Sequence, residues 1–191
     1  MFVVCGEALF DVFATGDTPT GMAMDARVGG SPFNVAVGLA RLEQPVCFLS
    51  QVSRGFLGER LMRALTVEGV QTATVQRSDA PTTLSLIGLD AKGVPSYSFY
   101  GEGCADRLLS DDALAALPAG IQAINFGSYA TVVGETAATQ RKLVEREQGR
   151  ALIAYDPNIR LNVEPSLLAW RTQIEWMLPR TQLLKVSDED L

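Results

Sequence analysis

The 191 residues are 47% hydrophobic, 20% charged and 7% aromatic, which suits one globular domain and excludes a disordered tail, a collagen-like repeat or a small disulfide scaffold. Sixteen Lys and Arg against 22 Asp and Glu leave a net charge of −6 with no basic patch, so nucleic acid is set aside as a partner. The chain has no histidine, which removes Ser-His-Asp and Cys-His catalysis and most zinc chemistry.

The first element is Phe2–Cys5, a short apolar run that reads as a buried strand of a parallel sheet. Glu7–Phe13 continues extended, and residues 15–30, with Gly16, Gly21, Gly29 and Gly30, read as loop or short strand. Ser31 as N-cap and Pro32 at the first helical position predict a helix, whose apolar face is Val35, Ala36, Leu39, Ala40 and Leu42 and which Pro45 ends. Val46–Leu49 is a second buried strand and Leu57–Glu68 a second helix, stopped by Gly69.

The period then changes. Thr72–Gln76, Thr82–Asp90 and Ser96–Gly101 are rich in Thr, Val and aromatics, with turns at Asp79–Pro81 and Asp90–Gly93, and predict a small antiparallel unit. From Ser110 the α/β rhythm resumes. Helices are expected over Asp111–Leu117, Glu135–Gln148 and Pro165–Met177, and strands over Ala123–Phe126, Ala151–Tyr155 and Gln182–Val186. Repeated strand–helix units imply a parallel sheet covered on both faces.

Cys5, Cys47 and Cys104 lie far apart and form neither a disulfide ladder nor a metal spacing. The N-terminus lacks the basic stretch of a signal peptide, and no apolar run approaches the ~20 residues that span a bilayer. A cytoplasmic protein without membrane contact is expected.

In open α/β sheets ligands bind beyond the carboxyl ends of the strands. There the sequence gathers Gly6-Glu7 to Asp11, Gly127-Ser128, Asp156-Pro-Asn158 and Lys185 to Asp190. Gly29-Gly30-Ser31-Pro32-Phe33-Asn34 is the sharpest local signal. Two glycines allow close backbone approach, the helix tip offers unpaired N–H groups, and the Asn34 amide both donates and accepts, which suits a polyhydroxyl ligand. An ordinary glycine turn before a capped helix fits the same residues. Asp11, set among apolar neighbours, needs hydrogen-bond donors, which sugar hydroxyls or backbone amides both supply. Lys185 can place a charge near a phosphate or lie on the surface. Ser187, Glu189 and Asp190 can order water around Mg²⁺, or cap a further helix. Arg160 can reach an anion. No Gly-x-x-x-x-Gly-Lys-Ser/Thr occurs, and no Gly-x-Gly-x-x-Gly follows the first strand, so a P-loop enzyme is excluded and a nucleotide-linked oxidoreductase loses its main support.

Taken in order, Gly6–Asp11, Gly29–Leu42, Phe99–Asp106, Phe126–Ser128, Asp156–Arg160 and Val186–Leu191 resemble the ribokinase-like (PfkB-type) carbohydrate kinases, and within them the bacterial fructokinases. The resemblance implies a ribokinase-like α/β sandwich with a mainly parallel sheet and a small β-sheet lid, here near residues 12–28 and 72–101. It implies an ATP- and Mg²⁺-dependent transfer of phosphate to a sugar hydroxyl, leaves room for a monovalent cation, and implies a homodimer formed through the lid. By resemblance Asp11, Gly29, Gly30 and Asn34 hold sugar hydroxyls and Tyr97 or Phe99 covers the ring. Asn158 and Arg160 lie near the sugar and the transferred phosphate, Arg160 being a candidate for the catalysis itself. Lys185, Ser187 and Asp190 face the ATP phosphates, with Asp190 on Mg²⁺ through water. Ser187 and Asp190 replace the family's more usual Asn-x-x-Glu. Relatives continue through a Gly-Ala-Gly-Asp stretch that carries the anion hole and the aspartate base. These 191 residues contain no such stretch, so they read as the N-terminal, sugar-binding part of one domain, or as a truncated relative that binds sugar or dimerises without catalysis.

Overall fold

The computed structural model describes residues 1–89 and 95–191. Six parallel strands form the main sheet: β1 (Phe2–Cys5), β4 (Val46–Ser53), β5 (Val75–Ser78), β8 (Ala123–Gly127), β9 (Leu152–Asp156) and β10 (Leu183–Leu184). Their order is β10-β9-β8-β1-β4-β5. The helices are α1 (Ser31–Arg41), α2 (Phe56–Val67), α3 (Gly134–Glu147) and α4 (Leu167–Met177).

Every residue of β4 is buried, as expected of a parallel strand covered on both faces. Alternation along β1 sorts the core into two layers. Val3 and Cys5 pack with Ile124, Leu143, Ile153 and Met177. Val4 packs with Phe33, Ala36, Phe48, Leu61 and Leu65 on the α1–α2 side. From β1 the chain first builds outward through β4 and β5, then returns to the other side of β1 for β8, β9 and β10. The gap beyond the ends of β1 and β8 is therefore the topological switch point of the sheet.

A second sheet has the order β3-β2-β6-β7, from β2 (Leu9–Thr18), β3 (Gly21–Gly29), β6 (Leu84–Leu89) and β7 (Pro95–Tyr100). One expectation narrows here and another changes. Of the loop or short strand expected over residues 15–28, the fold takes strand, with a turn at Pro19 and Thr20. These residues extend β2 and β3 into a long hairpin with one irregularity between Ala14 and Gly16. The Thr72–Gln76 segment does not join the antiparallel unit. Val75–Ser78 instead pairs parallel with Ser50–Ser53 and closes the edge of the main sheet. The second sheet is also mixed, since β6 runs parallel to β2 and antiparallel to β7. The turn expected at Asp90–Gly93 lies outside the described residues.

Smaller corrections follow from local hydrogen bonding. Gly30, not Ser31, is the N-cap of α1, at φ 108° and without a side-chain cap bond. Asp111–Ala116 is a 3-10 turn, and only Leu183–Leu184 of the last expected strand pairs with β9. Cys5, Cys47 and Cys104 are unpaired and buried. Among the described residues no helix is long and apolar enough to cross a membrane.

Candidate functional site

The carboxyl ends of β1, β8, β9 and β10 open into a cleft of about 900 Å³ that one face of the second sheet also walls. The cross-strand register sets that wall. Asp11 lies opposite Ser85, and Ser85 opposite Phe99; one row along, Phe13 lies opposite Ile87, and Ile87 opposite Tyr97. Residues paired across strands share a face, so Asp11, Ser85, Ile87, Tyr97 and Phe99 all reach the cleft together. Ser85 and Ile87 escaped the sequence reading, although their alternation with the aromatics of β7 marks that face.

The sequence candidates divide. Asp11, Gly30, Asn34, Tyr97, Phe99, Asn158, Arg160 and Lys185 line this one cleft. Gly29 lies directly behind Asp11, for a Cβ on Gly29 would run into the Asp11 carboxylate. Burial, eased by a hydrogen bond from Ser85, raises the Asp11 carboxyl above its ordinary value.

Ser187 and Asp190 are not among the lining residues. They form a capping box around the turn Asp188–Asp190, the Ser187 hydroxyl donating to Asp190 Oδ2 at 2.7 Å. Asp190 Oδ1 accepts the Ile159 N–H at 2.7 Å. Although burial works the other way, the bonds from Ser187 and Ile159 hold the Asp190 carboxyl below its ordinary value. Both oxygens accept from protein donors, and Asp190 pins the loop that carries Asn158 and Arg160. The described residues gather no group of three acidic or sulfur ligands for a metal ion, and a contact of Asp190 with Mg²⁺ through water would use the acceptor sites that these bonds leave open.

Lys185 leans on Asp156 rather than standing free, Nζ to Oδ2 at 3.1 Å, and Arg160 donates to the Ile159 carbonyl at 2.8 Å. The local backbone is tense. Ser128 (φ 59°) and Asn158 (φ 42°), both lining the cleft, adopt left-handed conformations that non-glycine residues rarely hold.

Beneath the cleft lies an acid pair the sequence did not single out. Glu7 is 1% and Asp106 2% exposed. Glu7 lines the cleft floor, accepts the Ser31 N–H on Oε1 at 3.3 Å, and has its carboxyl pushed up to about 8, chiefly by burial. Asp106 accepts from the hydroxyls of Thr83 and of Tyr129, the latter at 2.8 Å. Tyr129 in turn packs edge-on against Phe99 with ring centroids 5.3 Å apart, and the Arg107 guanidinium lies 5.6 Å from both rings. An acid after a strand is common in any sequence; only the tertiary packing reveals its burial.

The whole chain, residues 1–191, matches the pfkB family of carbohydrate kinases. It is 31% identical to a fructokinase of Rhizobium leguminosarum bv. trifolii over 100% of this chain and 58% of that protein. It is also 31% identical to fructokinase-2 of Solanum lycopersicum over 85% of this chain and 51% of the relative. Among solved structures, the fructokinase of Xylella fastidiosa with bound ATP superposes with a TM-score of 0.89 at 26% identity, over 98% of this chain and 61% of that one. The chain therefore spans a little over half the length of these relatives. With its motifs in order from the first strand to the last, the chain belongs to the pfkB family of carbohydrate kinases.

Proposed function

We propose that the chain forms the sugar-binding part of an ATP-dependent sugar kinase whose substrate is fructose. The observation that carries this reading is the convergence of Asp11, Gly30, Asn34 and the Tyr97–Phe99 aromatics on a cleft that also holds Arg160 and Lys185. A sugar offers alcohols and an apolar C–H face. The Asp11 carboxylate accepts from alcohols, the Asn34 amide donates and accepts, and Gly30, without a side chain, lets the ligand come close to the backbone. The aromatic rings cover the C–H face. The second sheet then acts as a lid over the sugar.

When bound, ATP supplies the phosphoryl group. Arg160 and Lys185 compensate phosphate charge, and Asn158 orients the sugar toward it. Phosphoryl transfer depends on positioning and electrostatic stabilisation, and these residues supply part of both. The family resemblance assigns the aspartate base to a Gly-Ala-Gly-Asp stretch that these residues do not contain, so the steps given to this chain are binding, orientation and charge compensation. The fructokinase relatives support fructose as the substrate. The exposed Met22, Met24 and Tyr100 on the second sheet support a homodimer formed through it.

Isothermal titration with fructose tests the site. Asp11→Ala and Asn34→Ala are expected each to abolish measurable binding, and unchanged affinity in both rejects the assignment. A coupled ADP-release assay on the whole protein tests the kinase. Sugar binding without ADP release there favours a second reading, a non-catalytic sugar-binding relative. Light scattering reads the dimer.

A further inference from the structure

We propose that Glu7 is a positioning residue of the sugar site, fixing the Gly30–Ser31 corner that presents the first turn of α1 to the cleft. The inference rests on the sugar-site reading above. Glu7 grips that corner in two ways. Its side chain takes the Ser31 N–H, and its backbone carbonyl lies so close that a Cβ on Gly30 would stand 2.7 Å from the oxygen. The Asn34 N–H then bonds back to the Gly30 carbonyl at 3.0 Å, so the position of Asn34 follows from that of the corner.

Glu7 is an expensive residue at this position. Its Oε2 is buried without a well-formed hydrogen bond, although the Ser128 side chain lies near the carboxyl, and a buried polar atom so poorly paired is destabilising. An apolar side chain would pack the same strand end without that cost. The charged and titratable neighbours argue in the same direction. Asp106 faces Glu7 from the segment after β7, Tyr129 from the segment after β8, and Cys5 from the end of β1. None is a cation that would hold Glu7 ionised. Protonated at neutral pH, Glu7 holds the helix tip without placing a second negative charge beneath Asp11, which leaves Asp11 as the acceptor for sugar alcohols. Having no exposed oxygen, Glu7 acts through Ser31 and Asn34 rather than on the sugar.

The test combines fructose titration, amide hydrogen exchange and thermal melting on the chain and three variants. Glu7→Ala should weaken fructose binding about tenfold or more and speed exchange at Ser31 and the turn after it, the effect of losing a buried hydrogen bond and the order it imposes. Glu7→Gln keeps an accepting oxygen and should stay within about threefold of the parent chain. Ser31→Pro deletes the donated N–H at a first helical position that suits proline, so it should weaken fructose binding and lower the melting temperature only by the cost of the unpaired Glu7 oxygen, and it serves where Glu7→Ala does not fold. Parental affinity in Glu7→Ala and Ser31→Pro, or a loss in Glu7→Ala that Glu7→Gln shares in full, overturns the proposal. If the parent chain binds no fructose, the sugar-site reading fails instead. Exchange at Ser31 then judges Glu7 by itself, and unchanged protection in Glu7→Ala overturns its role.

Discussion

The Asp11 carboxylate occupies the space that a Cβ on Gly29 would fill. The glycine is required because the acid of β2 lies back against the end of β3, one residue before the corner that starts α1. Gly29→Ala is therefore expected to push Asp11 out of the cleft wall. Fructose affinity should fall about tenfold or more, as for loss of a hydrogen bond to a charged group, while the rest of the sheet holds. Titration of the variant beside the parent, with melting curves for both, checks this. Equal affinity would mean that Asp11 does not depend on its neighbour.

Ser128 sits at φ 59° and ψ −167°, a region in which glycine alone is at ease. Ser128→Gly should relieve strain of order 1–3 kcal/mol, less about 1 kcal/mol for the added freedom of the unfolded chain. A net gain of about 1 kcal/mol in stability is expected, together with weaker fructose binding as the cleft wall loosens. Denaturant unfolding reads the first and titration the second. A destabilised Ser128→Gly would show that the serine hydroxyl matters more than the backbone.

Glu7 also sets a pH dependence. Burial first, and the nearby Asp106 carboxylate to a smaller extent, lift its carboxyl from 4.5 to about 8. Between those values the folded chain holds a proton that the unfolded chain releases, so raising the pH favours unfolding. The contribution is whole below pH 4.5 and lost as pH passes through about 8. Asp11 and Asp106, also raised, act with the same sign, whereas Asp111 and Asp190, lowered, act oppositely in more acid solution. The difference between the parent and Glu7→Gln isolates Glu7. From pH 5 to pH 8 the melting temperature of the parent should fall more steeply than that of Glu7→Gln, and parallel curves would contradict the buried acid.

What the sequence discloses follows from how local each feature is. Phe2–Cys5 and Val46–Leu49 are legible because continuous apolar runs bounded by turns have few other uses. Val75–Ser78 is not, since four half-polar residues suit either sheet, and the free edge of β4 decides between them. Gly16 and the polar residues beside it read as loop or short strand, and pairing with Gly21–Met24 decides for strand. At the site, Asp11, the glycine pair and Asn34 carry their own local chemistry and stand out. Ser187-x-x-Asp190 carries a capping signature as well as an acid, and in the fold Oδ2 of Asp190 serves the cap while Oδ1 holds the Ile159 N–H. Glu7 and Asp106 show nothing unusual in sequence, because burial by segments more than twenty residues away is what distinguishes them.

Asp106 joins the two sheets. Its carboxylate accepts from Thr83, just ahead of β6, and from Tyr129, just after β8, while its backbone carbonyl takes the Thr136 hydroxyl at 2.7 Å. Asp106→Ala would leave two buried hydroxyls without an acceptor and a small cavity between the sheets. A loss of about 2–4 kcal/mol is expected. Tyr129→Phe removes only one donor and should cost about 1 kcal/mol. Because both variants break the same bond, the double variant should lose less than their sum by about 1 kcal/mol. Phe99 packs against the Tyr129 ring, so Asp106→Ala should also weaken fructose binding. Strict additivity in denaturant unfolding would mean that Asp106 and Tyr129 act separately, and that the second sheet is held over the cleft by the Phe99, Tyr129 and Arg107 stack alone.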